Sequence, residues 1–101
     1  MPLINGAIPT SEGSLYTNTE PPNGGANKII NFFRVVNESG AARTFTLYFN
    51  VNGTARAFTP VSTQLPIGAA YDDIPVVQLP PTGIIRGIAS GTGVSWTINV
   101  E

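Results

Sequence analysis

The sequence predicts an all-β protein built as an antiparallel sandwich or a small barrel. Short segments alternate apolar and polar side chains with a period of two, which is the spacing of a strand with one buried face. Clusters of Gly, Pro and Asn separate these segments, and no window of about 11 residues or more shows a helical period. The length of 101 residues favours a single domain with one modest core.

Residues 1–26 differ from the rest of the chain and are predicted to form an extended N-terminal arm. The segment is rich in Pro and Gly, and "SLYT" is its one candidate strand. It carries more apolar residues than a pure linker needs, so we expect it to reach a neighbouring subunit rather than to hang free. The expected contact residues are Leu3, Ile4, Ile8, Leu15 and Tyr16.

Residues 27–101 are predicted to form the sandwich domain. The run "KIINFFRVV" is almost continuously apolar, as expected for a central strand, and "NESG" follows it as a turn. The next strand, "RTFTLYFNV", alternates clearly, and Asn52-Gly53 is a strong signal for a two-residue hairpin leading to "TARAF".

The second half of this domain repeats the pattern of strand and turn. "TPVSTQLPIGAA" resembles a loop, whereas "YDDIPVVQL" is a strand in which Pro75 favours an edge position or a bulge. "IIRGIAS" and "VSWTINV" form the last pair of strands. The alternating register predicts one shared core, comprising Phe45, Leu47, Phe49, Trp96 and Ile98.

The residue types exclude most catalytic chemistry. Histidine and cysteine are both absent, which removes Ser-His and Cys-His pairs, thiolate chemistry and the usual zinc ligands. Asp72-Asp73 is the one adjacent carboxylate pair, and neighbours on a strand point to opposite faces, so a solvated strand start is favoured over a cation site. We therefore expect no enzyme activity, no cofactor and no metal.

Charged residues make up 11% of the chain, less than half of the share of about 25% in ordinary soluble domains. The net charge is -1 and the basic residues are scattered, which argues against nucleic-acid binding. No apolar run approaches the length of a membrane span, and no signal peptide is recognisable at the N-terminus. A surface so poor in charge is expected to be covered partly by other protein, as in a homo-oligomer.

Three stretches together resemble a family of small virion proteins of tailed bacteriophages. They are "LYT", "IINFFRVVNESGAARTFTLYF" and "LPIGAAYDDIPVVQLPPTGIIRGIASGTGVSWTINV", which span the chain from about Tyr16 to Glu101. The family pattern has a strand ending in Val-Val-Asn, a small-residue turn, a Leu-Pro-x-Gly loop, a Tyr-Asp-Asp segment and a closing Gly-Val-x-Trp/Tyr-Thr strand. These motifs are structural, and they do not include a chemical fingerprint.

The resemblance implies an immunoglobulin-like or jelly-roll sandwich located on the virion and assembled in the host cytoplasm. Two functions remain open. One is a capsid decoration (cement) protein that bridges major capsid proteins, which suits the charge-poor surface. The other is a tail- or surface-attached adhesion module for a host receptor or glycan, for which solvent-facing Tyr48 and Tyr71 would be contact residues.

Overall fold

Two antiparallel sheets pack together in the computed structural model of the chain, which describes residues 3–51, 53–57, 59–73 and 77–101. These residues form strands, turns and loops and contain no helix, so the predicted all-β sandwich is confirmed. The strands, in chain order, are β1 (Leu3–Ala7), β2 (Gly13–Thr17), β3 (Lys28–Asn37), β4 (Arg43–Val51), β5 (Thr54–Ala57), β6 (Thr63–Leu65), β7 (Ala70–Asp73), β8 (Val77–Leu79), β9 (Ile84–Ala89) and β10 (Val94–Val100).

The order of strands in the two sheets is that of a jelly roll. Sheet A runs β1-β10-β3 and ends in β7 and β8, which both pair with β3. Sheet B runs β2-β9-β4 and ends in β5 and β6, which both pair with β4. When β5 with β6 and β7 with β8 are each counted as one divided strand, the chain has eight strands. The first then pairs with the eighth, the second with the seventh, the third with the sixth and the fourth with the fifth. This nested winding of eight strands distinguishes the jelly roll from the immunoglobulin-like alternative.

The N-terminal segment is extended, as expected, but its strands belong to the two sheets rather than to an arm that projects from them. β1 pairs with β10 from Leu3 opposite Asn99 to Ala7 opposite Ser95, and β2 pairs with β9. Ile8 is buried in the core between them. Most of the apolar residues interpreted as anchors for a neighbouring subunit therefore pack within the same chain, whereas Leu3 stays exposed.

The core lies between the sheets and follows the predicted period of two. Phe45, Leu47, Trp96 and Ile98 are buried in one cluster, and Phe49 packs against it from a half-buried position. The core also needs a residue without a side chain. A Cβ at Gly87 would lie 3.0 Å from the terminal methyl groups of Leu15 and Leu47, because both side chains cross the backbone of β9.

Two buried asparagines tie loops to the ends of the strands. Asn37 lies at the end of β3 and is 1% exposed. Its Nδ2 donates to the carbonyls of Ala41 (2.8 Å) and Leu65 (2.9 Å), while its Oδ1 accepts from the Ser39 amide (2.9 Å). Asn18, also fully buried, bridges the carbonyls of Ala26 and Leu79 with its Nδ2. Each side chain thus replaces ladder bonds where the strands stop.

The turns follow the sequence in part. β4 and β5 form the expected hairpin, with Val51 opposite Thr54 and Gly53 at φ 79°; Asn52 lies outside the described residues. The segment predicted as a loop before β7 contains the short strand β6. "YDDIPVVQL" supplies β7 and β8, and Pro75, with its predicted bulge, lies outside the described residues.

Candidate functional site

The residues predicted to bind a partner do not form one surface. Ile8 is buried, and Ile4, Leu15 and Tyr16 are partly buried against the core. A register shift in the pairing of β2 with β9, between Ser14 and Tyr16, marks a bulge, which accounts for two successive inward-packed side chains, Leu15 and Tyr16. Burial and the nearby negative charge of Glu20 raise the pKa of the Tyr16 phenol.

The two tyrosines assigned to a receptor surface have different environments. Tyr71 is not the solvent-facing platform expected from the sequence, since its ring stacks on Phe33 at 5.7 Å and meets Phe45 edge-on at 5.6 Å. Its register opposite the fully buried Val35 directs it inwards. Tyr48 is half-buried on the outer face of sheet B, opposite Arg86 of β9.

The outer face of β1 and β10 carries no charge. We call it the neutral face and define it by the outward side chains of the two strands, namely Leu3, Asn5, Ala7, Ser95, Thr97 and Asn99. Leu3 is 64% exposed. A shallow cleft of about 450 Å³ covers part of this face, and the charged Glu38, from the turn after β3, also lines it. The alternation of apolar and polar residues in β10 predicts the half of this face that β10 supplies. The half supplied by β1 depends on a pairing between strands at opposite ends of the chain, which no local pattern predicts.

Asn99 is an unusual member of the neutral face because it is polar, buried and incompletely bonded. It is 6% exposed, and its Nδ2 donates to Asn31 Oδ1 at 2.6 Å. Its Oδ1 has no hydrogen-bond partner among the described residues. A donor that reached this oxygen would satisfy a buried acceptor, which is otherwise costly to leave unpaired.

Sheet B carries a groove at the start of β4, which we call the polar groove after the hydroxyl, amide and guanidinium groups set in its otherwise largely apolar lining. Two adjoining clefts of about 280 and 120 Å³ share Thr44 and Ser90 in their walls. Gln64 and Arg43 line the larger cleft, and the Arg43 guanidinium is held by the Thr92 carbonyl at 3.0 Å. Hydroxyl, amide and guanidinium groups in a shallow groove suit a neutral polar ligand such as a sugar, and sequence reasoning missed it because three separate segments build it.

One ion pair lies on each sheet. Arg34 and Asp72 form a two-pronged ion pair, with Nη2 of the arginine 2.8 Å from a carboxylate oxygen. Hydrogen bonding from Arg34 lowers the pKa of the Asp72 carboxyl. Arg86 contacts Glu12 at 3.0 Å on the other sheet. Within the described ranges, no three acidic, His or Cys side chains come together in a way that could hold a metal ion.

In the part of the chain that the structure describes, no helix is long and apolar enough to cross a membrane. Comparison of the chain with models of protein families, with characterised proteins and with solved structures gave no significant match.

Proposed function

We propose that the protein is a structural virion protein of a tailed bacteriophage, and that it decorates the capsid by bridging major capsid proteins. The resemblance of the segments from about Tyr16 to Glu101 motivates the assignment to virions. The jelly roll is compatible with this role, although the fold serves many functions and does not select one.

The neutral face is the observation that carries the proposal of decoration over other virion roles. The centres of protein interfaces are depleted in charged side chains relative to the remaining surface. On sheet A the charged pair Arg34–Asp72 lies on β3 and β7, with Arg34 directly opposite Thr97 of β10, so it borders the strip formed by β1 and β10. The strip itself presents only apolar and neutral polar side chains. Such a strip is suited to lie against another protein surface.

The location of the protein on purified virions tests the proposal. Decoration predicts many copies distributed over the head, and heads without the protein should lose their DNA at a lower temperature. A count of a few copies confined to the tail would refute decoration.

Two matched variants test the role of the neutral face. Asn5→Lys adds a charge to that face opposite the neutral Thr97, and Asn50→Lys makes the same substitution on the outer face of sheet B, opposite the neutral Ile84. Asn5→Lys is expected to weaken binding to undecorated heads by about tenfold or more, since an unpaired charge at an interface costs several kcal/mol. Asn50→Lys should bind as the unmodified protein does. Equal binding by both variants would exclude the neutral face as the contact.

The polar groove of sheet B favours adhesion as a second candidate function. Gln64 is exposed in this groove, so Gln64→Ala should reduce binding to host-cell glycans if the groove is the receptor site. Gln78→Ala, which alters an exposed glutamine on sheet A, is the matched control. Glycan binding that both variants retain would refute this alternative.

A further inference from the structure

One edge of the sandwich lacks the features that normally prevent pairing between edge strands. β1 lies at the end of sheet A and has the sequence LINGA. It contains neither a charged residue nor a proline, and its register with β10 runs without a shift. A flat, neutral edge of this kind is a template for another strand.

The other three edges are each blunted. The opposite edge of sheet A is divided into β7 and β8 and carries the exposed acidic residue Asp72. The corresponding edge of sheet B is divided into β5 and β6 and carries Arg56. β2 has the bulge after Ser14. Charges, bulges and divided strands are protective devices of edges, and β1, which with five residues is as long as β2, has none of these three.

The pairing with β10 determines which backbone groups of β1 face outwards. The Ile8 amide donates to the Val94 carbonyl at 2.8 Å, in the same register as the strand pairs. In an antiparallel ladder, bonded and non-bonded pairs alternate, so Ile4 and Gly6 also exchange bonds with β10. The N–H and C=O groups of Leu3, Asn5 and Ala7 therefore point away from β10, towards the open edge.

The geometry points to a second copy of this chain as the partner of β1, paired antiparallel about a two-fold axis at Asn5. In this arrangement Asn5 lies opposite its own equivalent, and Leu3 lies opposite Ala7 of the partner. Each of these pairs exchanges both backbone bonds, and no charge opposes another. The two copies of sheet A then form one continuous sheet with its neutral faces side by side. The inference is independent of the proposed virion role.

The mass of the isolated protein in solution gives the first test. Sedimentation or light scattering should show a species of about twice 10.6 kDa, in a concentration series reaching about 1 mM because small interfaces are weak. Asn5→Pro removes an outward N–H and leaves the bonds to β10 intact, so it should give a monomer with an unchanged melting temperature. A strict monomer at all concentrations, or a dimer unaffected by the proline, would overturn the proposal.

Two double variants test the register of the pairing. Leu3→Lys with Ala7→Glu places opposite charges face to face across the two-fold axis and should preserve the dimer. Leu3→Lys with Ala7→Lys places like charges there and should weaken the dimer by about tenfold or more. If both double variants dimerise equally, or if monomers bind heads through this edge, self-pairing is refuted.

Disulfide formation gives a readout that does not depend on affinity. The chain has no cysteine, so Asn5→Cys introduces a single thiol at the axis. The two Cα atoms would be about 5.5 Å apart, within the range of a disulfide. Thr97→Cys, one strand further in, would place its thiols about three strand spacings apart, roughly 14 Å, which is too far to bridge. Covalent dimers from Asn5→Cys but not from Thr97→Cys are expected, and the reverse would disprove the pairing.

Discussion

Replacement of Asn37 by alanine is expected to remove about 2–4 kcal/mol of the free energy of unfolding. The side chain is buried, and its Nδ2 is a hydrogen-bond donor to the carbonyls of Leu65 and Ala41. The Leu65 carbonyl bond is fully buried, so an unpaired oxygen there costs about 1–3 kcal/mol, and the partly buried bond to Ala41 adds about 0.5–1.5 kcal/mol. A domain of this size unfolds with a total of about 5–15 kcal/mol, so the loss is a large fraction.

Thermal and denaturant unfolding would measure this loss, and a reduction of about 3 kcal/mol corresponds to a fall of about 12–24 °C in the melting temperature. Asn27→Ala, which breaks an exposed bond to Gln78, is the matched control and should change stability by less than about 0.5 kcal/mol. Asn37→Asp keeps the size of the side chain but turns an acceptor towards the two carbonyls, so it should destabilise at least as much as alanine at neutral pH. Equal stability of Asn37→Ala and Asn27→Ala would refute the reasoning, and tolerance of Asn37→Asp would show that packing, not hydrogen bonding, fixes this residue.

Three further predictions concern the core, a turn and an ion pair. Gly87→Ala should lower the free energy of unfolding by about 1–3 kcal/mol, because its methyl group would meet two leucine side chains at 3.0 Å. Gly40→Ala, with open space around it, is the control and should be close to neutral in the same denaturant melts. Thr82 adopts φ 66°, which costs a β-branched residue about 1–2 kcal/mol. Thr82→Gly should therefore raise the free energy of unfolding by about 0.5–1 kcal/mol once the greater chain entropy of glycine is subtracted, and a lower melting temperature would contradict this. Because Arg34 lowers the pKa of Asp72 in the folded state, its small stabilisation relative to Asp72→Asn should be present above about pH 4 and decline as the pH falls through the lowered pKa; a difference that does not change with pH would rule out this origin.

The strands with a strong local signal were predictable from the sequence. The period of two in β4 and β10 gave the correct inward faces, and Asn-Gly gave the hairpin that closes β4 on β5. These features depend on neighbours within a few residues. The position of β1 cannot be predicted in this way, because its place in sheet A is fixed by pairing with β10 at the other end of the chain.

The same distinction explains what was missed at the candidate site. Asn37 opens the predicted turn "NESG", and its Oδ1 bonds Ser39 within that turn, but its bond to Leu65 connects residues that are far apart in sequence. Tyr71 was assigned to solvent because an exposed strand start looks the same in sequence as one that faces the core. Its packing against Phe33 follows from the register of β7 with β3, which no local pattern specifies.

The nested winding of the strands implies an order of folding events. The β4–β5 hairpin closes a loop of two residues and can form within about 1–10 μs, whereas β1 meets β10 only after the longest loop has closed. Such non-local pairing places refolding in the range of milliseconds to seconds. Substitutions that weaken the pairing of β1 with β10 should therefore accelerate unfolding while leaving the refolding rate nearly unchanged, which stopped-flow kinetics would detect. Until that last step, β10 presents an unpaired edge, so a β1 strand from another molecule can compete for the same place.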